Sequence, residues 1–329
     1  MITIRRAVYE DISRIMRFID VHYKKGHILG NNRDFFEWMY VKDNDVNFYF
    51  AEDVETNEIL AIEGFILYNS LDRPDMTGSM WRAIKCENPM IGVEVSLRME
   101  EEINAVNCYG SGFSKRAQKI HKLWGHEVIN MNHYYRLNRL ENYKIAIIDE
   151  VNIPPVKDYG YQLIELKSIT ELKEVLSIEC LKKRIFYKDY EYLDRRYFQH
   201  PIWKYIIWKI VKCDGSSESV LIGREQEYDD SRILKIIDFL GNADDFKYIG
   251  YTLDMYMKQR ECEYVDVYFY GIPCSNLEEG GFVKRKENDS NIIPNLFYPF
   301  VPKNVEIAMM KPSVNLIMMR GDGDQDRPN

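Results

Sequence analysis

Four ionisable side chains of this 329-residue chain stand where proton transfer would need them. His27 lies in the loop Lys24-Lys25-Gly26-His27-Ile28-Leu29-Gly30, and His121 in the run Ser114 to His126. An imidazole titrates near neutral pH, so either can give or take a proton without a large shift. Glu63 and Asp238 interrupt the apolar runs Ile59 to Leu67 and Ile236 to Leu240. Each carboxylate faces either a cleft, where it serves as a general base, or solvent, because alternate residues of a one-sided strand point outward. A fifth feature is main-chain. Glu87-Asn88-Pro89-Met90-Ile91-Gly92 follows the strand-like Trp81-Arg82-Ala83-Ile84 and opens a helix. Backbone N–H groups at such a start point at phosphate oxygens, and the helix dipole favours their charge. The competing reading is a plain helix preceded by a turn.

These groups need elements to hold them. Val95, Met99 and Ile103 recur at helical spacing after Gly92, with Glu100-Glu101-Glu102 outside the stripe. Ser114 caps a second helix whose Ala117, Ile120 and Trp124 should face a core, and Gly125 ends it. The two halves echo one another about 160 positions apart: Ile12 with Leu172, Tyr40 with Tyr197, Gly110 with Gly271, Gly125 with Gly281. Strands are expected at 2–7, 46–53, 58–69, 79–85, 105–110 and 128–137. The second half repeats them at 161–166, 204–213, 218–227, 231–240, 263–270 and 304–310. The fold class is therefore mixed α/β in two domains, 1–150 and 160–329, joined by the polar stretch 152–159.

Composition narrows the class. Hydrophobic residues make up 46% and charged residues 29%, the balance of a soluble globular protein. No run reaches the length of a membrane span, and the first residues lack the apolar core of a signal peptide, so a cytoplasmic protein is expected. Six scattered cysteines without a C-x-x-C pair argue against zinc and against a disulfide framework. A net charge of −8 without a basic block argues against nucleic acid as a partner.

The run Ser114, Ala117, His121, Gly125, His126 resembles the last helix of the GNAT acyltransferases, N-x-x-A-x-x-x-Y-x-x-x-G-F. Ala117 and Gly125 match, Ser114 replaces Asn, His121 stands where Tyr is usual, and His126 replaces Phe. Glu87 to Gly92 falls where that superfamily carries its pyrophosphate loop, Q/R-x-x-G-x-G/A; Gly92 matches the last glycine, while Met90 and Glu87 depart. The resemblance implies two GNAT-like domains, each a mixed, mostly antiparallel sheet flanked by helices. It implies acetyl-CoA or another acyl-CoA as co-substrate and no metal. Ile84, Met90, Ile91, Gly92, Val93, Ser114 and Ala117 would then line the cofactor site. His121 would be the acid that meets the departing thiolate, and Ile84 or Lys85 would supply the backbone N–H that polarises the thioester. His27, Glu63 or Asp238 would be the base.

The second half keeps the frame without the loop: Asp244 and Asp245 stand where phosphates would bind, and Leu277 stands at the Tyr position. It would shape the acceptor site or a homodimer. The chain resembles tandem GNAT proteins of bacterial surface-polysaccharide gene clusters, implying transfer to a primary amine, such as that of a nucleotide-linked amino sugar. Two rival readings are an aminoacyl-tRNA-dependent transferase of the peptidoglycan type and a non-catalytic acyl-CoA-binding protein. Arg195, Arg196 and His200 offer a clamp for a phosphate. The tail Arg320 to Asn329 lacks the glutamate of a calcium loop and is expected to be a solvated acidic end.

Overall fold

Two sheets organise the computed structural model, which describes residues 1–328. The first belongs to a compact unit of residues 1–110 with Arg327 and Pro328; the second belongs to a unit of residues 111–326.

In the first unit the elements run β1 (Ile2–Arg6), α1 (Ile12–Phe18), α2 (Ile28–Asn31), α3 (Arg33–Tyr40), β2 (Phe48–Asp53), β3 (Glu58–Leu67), β4 (Asp75–Ala83), α4 (Ile91–Ile103) and β5 (Asn107–Tyr109). The sheet order is β1-β2-β3-β4-β5. All pairs are antiparallel except β4–β5, which is parallel. Both faces are covered. Ile12, Ile15, Phe35, Phe36 and Tyr40 from α1 and α3 pack on Phe48, Phe50 and Ile62. On the other face Ile91, Val95 and Met99, one stripe of α4, pack on Tyr49, Ala51, Ala61 and Phe65. Each fully buried apolar side chain of that stripe stabilises the layer by about 1.5–3 kcal/mol. The helix stops at Asn104, whose left-handed φ of 51° breaks the ladder.

The second unit begins with α5 (Lys115–Leu123) and β6 (Asn132–Leu137). There follow β7 (Gln162–Leu166), α6 (Ile169–Val175), α7 (Ile178–Lys182), α8 (Tyr190–Leu193), β8 (Ile206–Val211), β9 (Ser219–Tyr228) and β10 (Ser231–Leu240). The chain continues through α9 (Gly250–Arg260), β11 (Cys262–Tyr270), α10 (Cys274–Glu279), β12 (Val283–Lys284), the hairpin β13 (Leu296–Phe297) and β14 (Phe300–Val301), and β15 (Met318–Met319). The sheet order is β7-β8-β9-β10-β11-β6-β12, with β15 also on β11. β10 and β11 are parallel, so this unit repeats the strand–helix–strand device of β4, α4 and β5.

The expected strands are present in outline, the one at 304–310 reduced to Ala308–Met310 and paired with Val128–Asn130, and three further features differ. The strand expected at 79–85 begins at Asp75 and ends at Ala83. The one expected at 128–137 breaks at Met131, and its second part, β6, pairs with β11 from Tyr264↔Leu137 to Phe269↔Asn132. Its Tyr134, Tyr135 and Leu137 are all buried, which only a central strand of the second sheet allows. The units consequently divide after Gly110, whereas the sequence suggested 150–160. Thirdly, the acidic tail is not solvated: Asp322 and Asp326 are fully buried.

Candidate active site

The sheet of the first unit opens at one place. β5 pairs with β4 only through Asp75↔Asn107, Met76↔Cys108 and Thr77↔Tyr109. Beyond Thr77, residues Gly78 to Ala83 have β3 on one side and, among the described residues, no strand on the other. Such an edge can hydrogen-bond an extended ligand as an added strand. Along the same stretch the β3 register slips: Ile62 faces Arg82 but Gly64 faces Ser79. Met80 and Trp81 therefore oppose the single residue Glu63, and Met80 holds a left-handed φ of 52°. A bulge of this kind re-aims backbone groups and is common beside active sites.

Glu63 points to the α4 face. It is 6% exposed, hydrogen-bonded to Ser96 of α4, and its Oε2 has no partner. Burial pushes its pKa up to about 8, with the Glu100 charge adding to the effect and the Ser96 bond opposing it. It is therefore a neutral acid just below the pH at which it becomes a base. Gly78 makes room for it, since a Cβ there would stand 2.9 Å from Glu63 Oε1. The nearby Cys108 thiol of β5 is pushed up by burial and by Glu100 and Glu63, so it is no nucleophile.

At the helix start the Met90, Ile91 and Val93 amides already have partners. Asn88 Oδ1 accepts from Met90 N at 2.9 Å, and Asn88 O accepts from Ile91 N at 3.3 Å. Met90 O accepts from Val93 N at 2.8 Å, and Asn88 Nδ2 donates to the Glu94 carboxylate at 3.0 Å. An incoming phosphate would have to displace the Asn88 side chain and tolerate Glu94 in the first turn. Gly92 is demanded by packing: a Cβ there would meet Ala83 Cβ at 3.0 Å, and its carbonyl accepts from Trp81 Nε1 at 2.7 Å. The Ile84 N–H donates to Leu60 O at 2.9 Å and is not free to polarise a thioester. The bulge at Met80–Trp81 is the better place for that role.

The other sequence candidates lie elsewhere. His27 is on the α1–α3 side, where its Nδ1 accepts from Leu29 N at 3.2 Å as the cap of α2. Its proton must therefore sit on Nε2, which has no partner. Burial first, then the Arg327 and Lys24 charges, push its pKa down to about 3. An imidazole so placed is a donor rather than the expected base.

His121, Ser114 and Ala117 belong to the second unit. Ser114 Oγ accepts from Ala117 N at 3.2 Å as the expected cap. No residue of α5 is buried, so the core face expected of Ala117, Ile120 and Trp124 is only half covered. His121 stacks on Phe113 at 4.2 Å between centroids, with its Nδ1 3.3 Å from His126 Nδ1. Burial and His126 push its pKa down to about 4.

Asp238 is fully buried and accepts from Lys188 Nζ at 2.6 Å, Tyr197 OH at 2.7 Å and Phe239 N at 2.8 Å. It is a satisfied carboxylate with no free base lone pair aimed at a cleft. Of the four candidates, only Glu63 borders the opening. Gly78, Ser96 and the Met80 bulge complete its surroundings; no sequence signal marks a left-handed methionine, whereas a glycine in an apolar strand does mark a close approach.

The equivalent opening in the second unit is filled. β10 and β11 pair from Arg232↔Cys262 to Ile236↔Val267, and β15 then pairs with β11 at Phe269↔Met319 and Tyr270↔Met318. Gly321 N donates to Ile237 O of β10 at 2.7 Å. The tail beyond is held by charge: Arg224 and Tyr205 OH on the Asp326 carboxylate, each at 2.8 Å, Arg196 on the Asp326 carbonyl at 2.7 Å, and Lys188 on Asp322 at 2.7 Å. Arg196, a suggested phosphate clamp, thus holds the chain's own tail.

No protein-family model and no curated protein matches the sequence. Solved structures do match in shape. A conserved protein from Enterococcus faecalis V583, described as a probable N-acyltransferase, aligns with a TM-score of 0.57 at 9% identity, over 94% of this chain and 73% of that one. A GCN5-related N-acetyltransferase from Anabaena variabilis ATCC 29413 aligns with a TM-score of 0.53 at 10% identity, over 94% and 72%. The chain has a GNAT-type fold. At such identities the likeness concerns the fold alone. Among the described residues no helix is long and apolar enough to cross a membrane, and no group of three or more His, Cys, Asp or Glu could hold a metal ion.

Proposed function

We propose that this GNAT-type protein is an N-acyltransferase that moves an acyl group from acyl-CoA to a primary amine. The observation that carries the reading is the open β4 edge, Gly78 to Ala83, beside a bulge and the buried Glu63. The pantetheine arm would lie along that edge as an added strand, with the main-chain amides of Met90 to Val93 facing the diphosphate once Asn88 moves aside. The thioester carbonyl would meet the Met80–Trp81 backbone. The amine nitrogen attacks the thioester carbon, the carbon–sulfur bond breaks, and ionised Glu63 takes the proton that the amine loses. The acceptor we infer is a nucleotide-linked amino sugar.

A non-catalytic acyl-CoA binder is the second reading, favoured by the already partnered Met90, Ile91 and Val93 amides of the α4 start and the acidic Glu94. Calorimetry with acetyl-CoA followed by thiol release with a panel of amino sugars separates the two. Binding with amine-dependent thiol release supports transfer. Binding without release across the panel supports the binder, and no binding at all sinks both.

A further inference from the structure

The second unit buries more positive than negative charge at one place. Arg196, Arg224, Lys235 and Arg320 are all buried, and the carboxylates in contact with them are Asp266 and Asp326. The nearest other acid–base group, His133, is neutral: its Nδ1 accepts from Arg285 Nε at 2.8 Å, so its Nε2 carries the proton shared with Asp266 at 3.0 Å. Arg285 is itself matched by Glu306. A surplus of buried cations is costly unless a proton leaves or an anion arrives.

The surplus is also poorly bonded. Arg320, 7% exposed, has neither Nε nor Nη1 in a hydrogen bond. Its Nη2 reaches Asn295 O at 3.4 Å, and its Nε stands 3.6 Å from Asp326 Oδ1. Lys235, 1% exposed, reaches Asn295 Oδ1 only at 3.5 Å and Asp266 Oδ1 at 3.8 Å; the latter oxygen has no hydrogen bond. One element packed against this cluster is a short hairpin. The β13–β14 hairpin brings to it Asn295, the Phe297 ring 4.9 Å from Lys235 Nζ, and Tyr298 OH, which accepts from Gln226 Nε2 at 3.2 Å. Tyr298 at its tip is 48% exposed.

We propose that Lys235 and Arg320 form a binding site for an anionic group, a phosphate or a carboxylate, reached by movement of the hairpin 295–301. The anion accepts from Arg320 Nε and Nη1 and from Lys235 Nζ, the donors now left open or stretched. Lys235 supports the geometry. Burial, then the Arg320 charge, pushes its pKa down to about 7; Asp266 opposes this, Arg224 adds to it and Asp326 opposes it. An arriving anion restores the ammonium, so binding above neutral pH takes up a proton.

Calorimetry on the full chain at pH 8 tests this with two probes, inorganic phosphate and acetate, in buffers of different ionisation enthalpy. The expected result is saturable binding of at least one probe, with a buffer-dependent heat that reports proton uptake. Lys235→Met should abolish the uptake and weaken binding by about tenfold or more, as loss of a charge-assisted bond does. Its melting temperature should not fall, because an unmatched cation is removed. Arg320→Gln should weaken binding by a similar factor and diminish the uptake, because without the Arg320 charge Lys235 holds its proton more firmly before the anion arrives. Tighter phosphate binding identifies a phosphoryl ligand and tighter acetate binding a carboxylate one; both support the site. Binding of neither probe, or unchanged binding by Lys235→Met, overturns it. The test involves no acyl-CoA, so it stands or falls apart from the proposed transfer reaction.

Discussion

A parallel strand pair bridged by a helix occurs twice in this chain, and its two openings have opposite fates. Between β4 and β5 the gap leaves Gly78 to Ala83 without a described strand on one side, with a bulge and a half-satisfied carboxyl group at Glu63. Between β10 and β11 the gap is occupied by Met318 to Gly321, where Arg320 N donates to Tyr268 O and Gly321 N to Ile237 O. The same geometry thus serves as a ligand slot in one unit and as a self-filled seam in the other. What differs is the chemistry around it. Beside the open slot stands one neutral acid, Glu63, whereas the filled seam is held by buried ion pairs.

The largest effect expected from breaking this contrast is at Glu63. Glu63→Gln should lower single-turnover thiol release by about 10²–10⁴-fold, the worth of a general base, while leaving acetyl-CoA affinity within about twofold. In the unaltered protein the rate should rise with pH and level off above about 8, where the carboxyl is ionised. The stability consequence has the opposite sense. Its folded pKa lies above its ordinary 4.5, so its contribution is fully present below pH 4.5 and is lost as pH rises through about 8. Glu63→Gln should therefore melt higher than the parent at pH 9. A flat pH–rate profile with an unchanged melting point would remove Glu63 from the mechanism.

On the seam side, Asp326→Ala leaves Arg224 and Arg320 buried without their carboxylate. Breaking one partner from a buried pair costs about 3–5 kcal/mol. Chemical denaturation should show a loss of that size, and hydrogen exchange should locate it in residues 318–326. A loss below about 1 kcal/mol would mean the tail is held by its backbone bonds alone.

A smaller effect sharpens the open side. Gly78→Ala places a Cβ 2.9 Å from Glu63 Oε1, and the carboxyl must turn away from Ser96 or the strand must shift. Overpacking of this kind costs about 1–3 kcal/mol. The same change should move the pH–rate midpoint away from about 8 if Glu63 is the titrating group. A stability loss with an unmoved midpoint would point to another base.

Much of the frame was legible because it rests on local pattern. The apolar run Ile59 to Leu67 and the stripe Val95, Met99 gave β3 and α4 directly. Glu63 was legible as a carboxylate in an apolar strand, but its side was not. Period-2 alternation says that it opposes Ile62, and only the packing of α4 says which face is buried. The tail misled because its composition is polar and its partners, Lys188, Arg196 and Arg224, lie far away in sequence. A buried ion pair leaves no periodic trace. Met80 was invisible too, since a left-handed methionine is imposed by the register slip and not by its own preference.

The smallest expected effect concerns His121, assigned as the thiolate's acid by its position in the helix pattern. Its pKa is pushed down to about 4, so at neutral pH it carries no imidazolium proton to give. Its Nδ1 is engaged with His126, and its ring is stacked on Phe113. His121→Ala should therefore change thiol release by less than about threefold and cost about 0.5–1.5 kcal/mol of local stability through the lost stack. A fall of tenfold or more in thiol release, with acetyl-CoA affinity unchanged, would restore it as the acid and would mean that bound ligand raises its pKa. That outcome would add an imidazole to a reaction now assigned to Glu63 alone.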